Sequence, residues 1–188
     1  MKLTISNYIR DILLQIETRA SSLKDGELRA ALKETPSRVE KAWGEMLNGY
    51  DIDINSLFKT FDGEGKDQIV AVTNINDYSI CEHHLLPFFI DASVIYLPKD
   101  KVIGVSKMER LVRAYSHRLQ LQERLTEQVA TALMTHLQPE GAACIIRGQH
   151  LCMRARGVKS ASSQVVTSVM LGKFRDDSAL RAEVISLV

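Results

Sequence analysis

The sequence predicts an α+β domain: an antiparallel four-stranded sheet with helices on one face, preceded by an N-terminal helical segment. Apolar residues recur at three and four up to about residue 47 and again over residues 106–137, the signature of helices with one buried face. Between residues 88 and 97 they alternate at two, the signature of a half-buried strand. Other short runs rich in Val and Ile flank these stretches. The order is helices, two strands, two helices, two strands and a short C-terminal helix. The expected organisation is one compact domain with a helical segment at 1–50 and a sheet-bearing region at 51–188.

From Ile5 the residues Ile5, Tyr8, Ile9, Ile12, Leu13 and Ile16 form the stripe of an amphipathic helix of about four turns. Residues 21–26 are a polar break, after which Leu28, Ala31 and Leu32 suggest a short helical piece. Thr35-Pro36 is a helix start, with Thr35 as cap and proline at the first helical position. Val39, Ala42, Trp43, Met46 and Leu47 give that helix its stripe. Arg38 lies in its first turn, an unfavourable place for a cation beside the positive helix terminus, and so hints at an anionic partner. A solvated surface arginine is the blander reading.

Residues 51–66 read as a loop-rich connection carrying Gly63 and Gly65, and residues 68–74 as a strand. Phe88, Ile90, Ala92, Val94 and Tyr96 share one side of the next strand, which stops at Pro98. Lys99-Asp100-Lys101 is a turn and Val102 to Val105 a short continuation, so the segments around Cys81 read strand, site loop, strand. Ser106 and Glu109 have capping-box spacing and open a helix that buries Met108, Leu111, Val112 and Tyr115. A second helix runs from about Gln120 to Leu137. Residues 142–153 and 165–174 are the last two strands, joined by a polar linker at 158–164, and a helix closes the chain near 179–187.

A chain of 188 residues with 45% hydrophobic and 25% charged residues has the make-up of a globular protein with a sizeable core. Its net charge of +1 provides no polyanion-binding surface, which excludes nucleic acid as the main partner. No apolar run approaches the ~20 residues of a membrane span, and the N-terminus lacks a signal pattern, so the cytoplasm is the expected location. Three cysteines at irregular spacing do not make a disulfide framework and point instead to metal binding or reactivity.

The chemistry concentrates in Cys81-Glu82-His83-His84. Cys81 and His84 have the spacing of a zinc-ligand pair, and a strand through His150-Leu151-Cys152 would set His150 and Cys152 on one face. Cys81, His84 and Cys152 then hold the metal with a fourth position open, the mark of a catalytic zinc, and His83 and His150 stand beside it as proton carriers. A structural metal is the plainer use of such a set. A disulfide between Cys81 and Cys152 competes for the same sulfurs and is disfavoured in a reducing cytosol. Cys144 shares strand parity with Cys152 but lies about 26 Å away at ~3.3 Å per residue, and reads as core. His117 and His136 sit on expected helices without polar companions and receive no role.

Lys107, Arg110, Arg113, Arg118, Arg154, Arg156 and Lys159 cluster in or beside the elements flanking the metal loop and could bind phosphates. Solvated charges account for Arg113, Arg118, Arg154 and Lys159. Lys107 and Arg110 stand out because they lie beside a helix N-terminus, which also favours anions. Glu123 next to Gln122 is a pairing able to read the donor edge of a guanine or pterin, though ordinary helix-surface spacing explains both equally.

In this order and spacing the motifs resemble the GTP cyclohydrolase I family. The resemblance rests on residues 81–88, 102–107, 120–126, 150–152 and 156–158, with Glu34-Thr35-Pro36-Ser37-Arg38 near the N-terminus, and it spans nearly the whole chain. It implies a tunnel-type fold, in which strands from several subunits close a barrel, and a homo-oligomer of two pentameric rings with active sites between subunits. It also implies allosteric behaviour. The implied metal is Zn2+, held by Cys81, His84 and Cys152, with His83, His150 and Ser106 as catalytic residues. Gln122 and Glu123 would grip the guanine, while Ser106, Lys107, Arg110, Arg156 and Arg38 hold the ribose and triphosphate. The implied reaction takes GTP and water to 7,8-dihydroneopterin triphosphate and formate, the first step of tetrahydrofolate and pterin synthesis. Two positions depart from the family pattern, Ile90 where relatives often have glycine and Val165 where they often have threonine. A nitrile reductase using a cysteine nucleophile and NADPH is a related alternative, which metal content would separate. A nucleoside deaminase is disfavoured because its H-x-E and P-C-x-x-C pattern is absent.

Overall fold

The computed structural model describes residues 4–18, 27–63 and 68–188. The expected polar break at 21–26 and the connection at 64–66 lie outside the described residues. Two compact units divide the chain, Met1–Leu47 and Asn48–Val188.

The first unit contains helix α1 (Ile5–Thr18), a 3-10 turn at Ala30–Leu32 and helix α2 (Thr35–Met46). Of the stripe expected on α1, Ile5, Tyr8, Ile12 and Ile16 are exposed and Ile9 and Leu13 half-buried. Helix α2 begins one residue earlier than the cap pattern suggested. Glu34 is its N-cap, without a side-chain capping bond, and Thr35 is already helical. Arg38, which looked misplaced in the first turn, is paired with Glu34 one turn back.

The second unit contains β1 (Thr60–Asp62), β2 (Val70–Cys81), β3 (Pro87–Leu97), β4 (Lys101–Ile103) and α3 (Val105–Ser116). It continues with β5 (Leu119–Gln120), α4 (Gln122–His136), β6 (Gly141–His150), α5 (Leu151–Arg154), β7 (Val165–Gly172), α6 (Lys173–Asp176) and α7 (Ser178–Ser186). The main sheet has five strands in the order β5-β2-β3-β6-β7, not four. Strands β2, β3, β6 and β7 are antiparallel neighbours, and the added β5 pairs parallel to the end of β2 through Ile80–Leu119 and Cys81–Gln120. Lys101, expected in the turn, and two apolar residues of the expected 102–105 continuation form β4, which pairs with β1 inside the stretch read as loop.

Strand β3 carries the alternation its sequence predicts: Phe88, Ala92 and Val94 are fully buried and Ile90 and Tyr96 nearly so. They pack with Met108, Leu111 and Val112 of α3 and Leu125, Val129 and Leu133 of α4, which places both helices on that face of the sheet. On the opposite face a smaller cluster of Ile95, Leu97 and Ala143 is covered by Phe174 of α6 and Val184 of α7. Ser106 does not cap α3. The N-cap is Gly104, whose carbonyl accepts from Lys107 N at 2.8 Å, so Ser106 sits inside the first turn.

Candidate functional site

Cys81 is the last residue of β2 rather than part of a loop, and it is 5% exposed. A tight turn follows: Leu85 N donates to Cys81 O at 2.8 Å and Cys81 N to Leu86 O at 2.9 Å. Leu85 takes a positive φ of 53°, which lets the chain reverse into β3 after only the short Glu82–Leu86 turn. Glu82 N donates to Gln120 O at 3.1 Å, extending the β5 pairing past the strand end. The turn leaves His83 and His84 exposed, whereas Cys81 is buried.

The second half arises where β6 ends. His150 lies opposite Phe88 in register, and the chain then turns into α5, with His150 as its N-cap. The expectation that a strand through residue 153 aligns His150 with Cys152 is therefore corrected: Cys152 is the second residue of a one-turn helix. The helical turn still brings it back to the end of β2. The donor atoms of Cys81, His84 and Cys152 lie within 4.8 Å of one another. Tetrahedral zinc with ligands at about 2.0–2.3 Å needs donors about 3.3–3.8 Å apart, and a soft two-sulfur, one-nitrogen set suits that ion, so the residues fit the group. All three cysteines are free, so the competing disulfide is not formed. Burial pushes the Cys152 thiol up, and the adjacent Cys81 adds to the rise. Cys144 is fully buried in the core, as expected.

Beside the cluster lies a cavity of about 200 Å³ whose lining includes His83, Gln122, Glu123 and His150. His150 stacks on Phe88, with ring centroids 4.3 Å apart and planes 5° from parallel. Its pKa lies below the ordinary histidine value because burial disfavours the cation, an effect that the charge of Glu123 opposes. Glu123 is exposed at the cavity, whereas Gln122 is 1% exposed and its amide nitrogen already faces three protein acceptors. The two neighbours expected to grip one base are thus placed differently, because adjacent positions on a helix point about 100° apart. Ser106 and Arg110 are exposed and Lys107 half-buried on the first turns of α3, and Arg156 is exposed beyond α5. None of these four lines the cavity.

Two polar braces have no local signature in the sequence. The Glu82 carboxylate is bound by Arg124, which holds it below the ordinary carboxylate range; Arg124 also donates to Leu119 O at 3.1 Å and Gln120 Oε1 at 3.0 Å. His117, which seemed to lack polar companions, is 7% exposed and has Asp77 Oδ1 at 3.0 Å and Asn48 Oδ1 at 3.1 Å on its two ring nitrogens. The Asp77 carboxyl is raised by burial, but the hydrogen bonds from His117, Tyr78 N and Ser116 outweigh that and leave it below its ordinary value. No local pattern announces partners separated by 40 or 42 residues.

Residues 8–188 match the family described as GTP cyclohydrolase I. The chain belongs to the GTP cyclohydrolase I family. It is 46% identical over 168 residues to the GTP cyclohydrolase 1 of Nitrosospira multiformis, covering 88% of each chain. It is also 41% identical over 189 residues to that of Coxiella burnetii strain Dugway, covering 100% of this chain and 99% of the relative. Among solved structures, the apo form of the archaeosine synthase QueF-Like is similar with a TM-score of 0.48 at 15% identity, covering 58% of this chain and 97% of that one. Membership in the GTP cyclohydrolase I family makes the chain a hydrolase of that type. The arrangement is of the expected α+β class, with five strands in its main sheet. Among the described residues no helix is long and apolar enough to cross a membrane.

Proposed function

We propose that the protein is a zinc-dependent GTP cyclohydrolase I that converts GTP and water to 7,8-dihydroneopterin triphosphate and formate, opening tetrahydrofolate and pterin synthesis in the cytoplasm. The observation that carries this reading is the convergence of the Cys81, His84 and Cys152 donors beside a cavity bearing His83, His150 and Glu123. Those three ligands would hold the metal, which when bound supplies Lewis acidity and a water deprotonated near neutral pH.

The chain's own residues do the rest. Glu123, an acceptor-only group at the cavity, takes the N–H groups of the guanine edge and orients the purine. Water adds at C8 as His150 protonates N7, the ring opens to a formamide, and a second hydration releases formate. His83, adjacent in the turn to the ligand His84, is the second proton carrier. Ser106, Lys107, Arg110 and Arg156, with Arg38, bind the ribose and triphosphate. Because the first four stand away from this chain's own cavity, the reading includes a homo-oligomer, a decamer of two pentameric rings, in which a neighbouring subunit completes each site. The test is release of formate and appearance of pterin fluorescence from GTP, with zinc-loaded protein compared to a chelated sample and to His150→Asn. Both products should form only with metal and an intact His150. Tight zinc binding without any attack on GTP would refute the assignment.

A further inference from the structure

The Gln122 amide is held in one orientation by its surroundings. Its Nε2 lies 3.0 Å from Ile146 O, 2.9 Å from Val165 O and 3.1 Å from Thr167 Oγ1. Carbonyl oxygens only accept, so the atom facing two of them must be the amide nitrogen. The hydroxyls agree with this sense. Thr126 Oγ1 donates to Gln122 O at 2.7 Å and can therefore accept from Thr167 Oγ1 at 2.6 Å, which leaves Thr167 to accept from the amide. Turning the amide over would set oxygen against two carbonyl oxygens in a side chain that is 1% exposed.

The amide oxygen thus has its role fixed from behind, and what it meets in front is His150 Nε2 at 3.0 Å. An acceptor-only oxygen requires that ring nitrogen to carry hydrogen. Stacking on Phe88 fixes the ring plane, and among the described residues His150 Nδ1 has no protein partner. Gly148 is part of the same arrangement, since a Cβ there would stand 1.9 Å from Gln122 Oε1.

We infer that Gln122 is a positioning residue, which locks neutral His150 as the Nε2–H tautomer and leaves Nδ1 as the nitrogen that takes up the proton lost by the attacking water and passes it to N7 of the substrate. The inference rests on the reading of His150 as the proton carrier and sharpens it to one atom. It also removes the Gln122 side chain from the guanine contacts, whose recognition falls to Glu123.

The test is magic-angle-spinning 15N spectroscopy of the zinc-loaded full chain carrying 15N-histidine, at about pH 8, where an imidazole is neutral. The His150 signals are identified by their loss in His150→Asn. Wild-type protein should show a protonated Nε2 and an unprotonated Nδ1 for His150. Gln122→Leu should show a mixture of tautomers, with kcat for formate release lower by about 10- to 100-fold and KM for GTP within about twofold. A protonated Nδ1 or a tautomer mixture in wild type overturns the inference, and this arm needs no variant to fold. A Gln122→Leu protein with wild-type signals, or with raised KM at unchanged kcat, also overturns it. If wild-type protein releases no formate from GTP, the proposed function fails, while the 15N spectrum still decides whether Gln122 sets the His150 tautomer.

Discussion

Replacing Gly148 by alanine tests how tightly the buried polar lattice is packed against the sheet. The new Cβ would lie 1.9 Å from Gln122 Oε1 and 2.9 Å from its Cδ, closer than any van der Waals contact allows. Strand β6 cannot retreat readily, because Gly148 is paired with Ile90 on one side and Val165 on the other. The amide must leave instead, and with it go the bonds to Ile146 O, Val165 O, Thr167 and His150. The amide NH2 has two hydrogens for its three acceptors, so two donated bonds and the one from His150 are lost, about 1.5–4.5 kcal/mol at about 0.5–1.5 kcal/mol for each buried hydrogen bond. With a urea dependence of about 2–3 kcal/mol per molar, the midpoint of unfolding should fall by at least about 0.5 M. Gly104→Ala is the control, since a Cβ there meets nothing within 4 Å. Paired urea titrations at one protein concentration provide the measurement. A Gly148→Ala midpoint no lower than that of the control would refute the packing argument, and unchanged formate release would refute its link to His150.

Cys81→Ser should lose stoichiometric zinc, measured by metal analysis after gel filtration, together with formate release, because two remaining donors do not hold the ion. Glu123→Ala should keep zinc and raise KM for GTP by about 10- to 100-fold, the cost of roughly 1.5–3 kcal/mol for a lost charged hydrogen-bond partner. Chelation should abolish turnover, and added zinc should restore it. Asp77 binds its proton less tightly in the folded protein than its ordinary value of 3.8, so its contribution to stability is present above 3.8 and disappears as pH falls through the lower folded value. Asp77→Asn should therefore destabilise the protein at pH 7 and flatten this acid loss, as read from thermal unfolding across pH 2–7.

The parts of the molecule that sequence makes legible are those whose pattern is local. The alternation from Phe88 to Tyr96 and the stripes of α3 and α4 specify their buried faces directly, and the structure buries them. Cys81 and His84 are close in sequence, so their convergence is readable too. Helix starts were displaced because Gly104 and Glu34 cap without side-chain bonds, leaving Ser106 and Thr35 to mimic caps. The short strands β1 and β5 carry too little sequence to announce themselves and exist because longer neighbours offer an edge. His117 and Gln122 illustrate the same limit at the level of side chains: each has an identity set by partners at least 24 residues away.

The placement of the ligand cluster has a consequence for the order of folding. Cys81 ends β2 and Cys152 follows the end of β6, and these strands are not neighbours, because β3 lies between them. The cluster therefore does not exist until three strands have aligned, with Ile80 opposite Pro87 and Phe88 opposite His150. A slip of a single residue in either pairing would turn side chains to the opposite face and part the sulfurs. Metal capture by these three side chains would therefore come late and select the correctly registered sheet, and a bound ion would tie the end of β2 to the turn after β6 across β3.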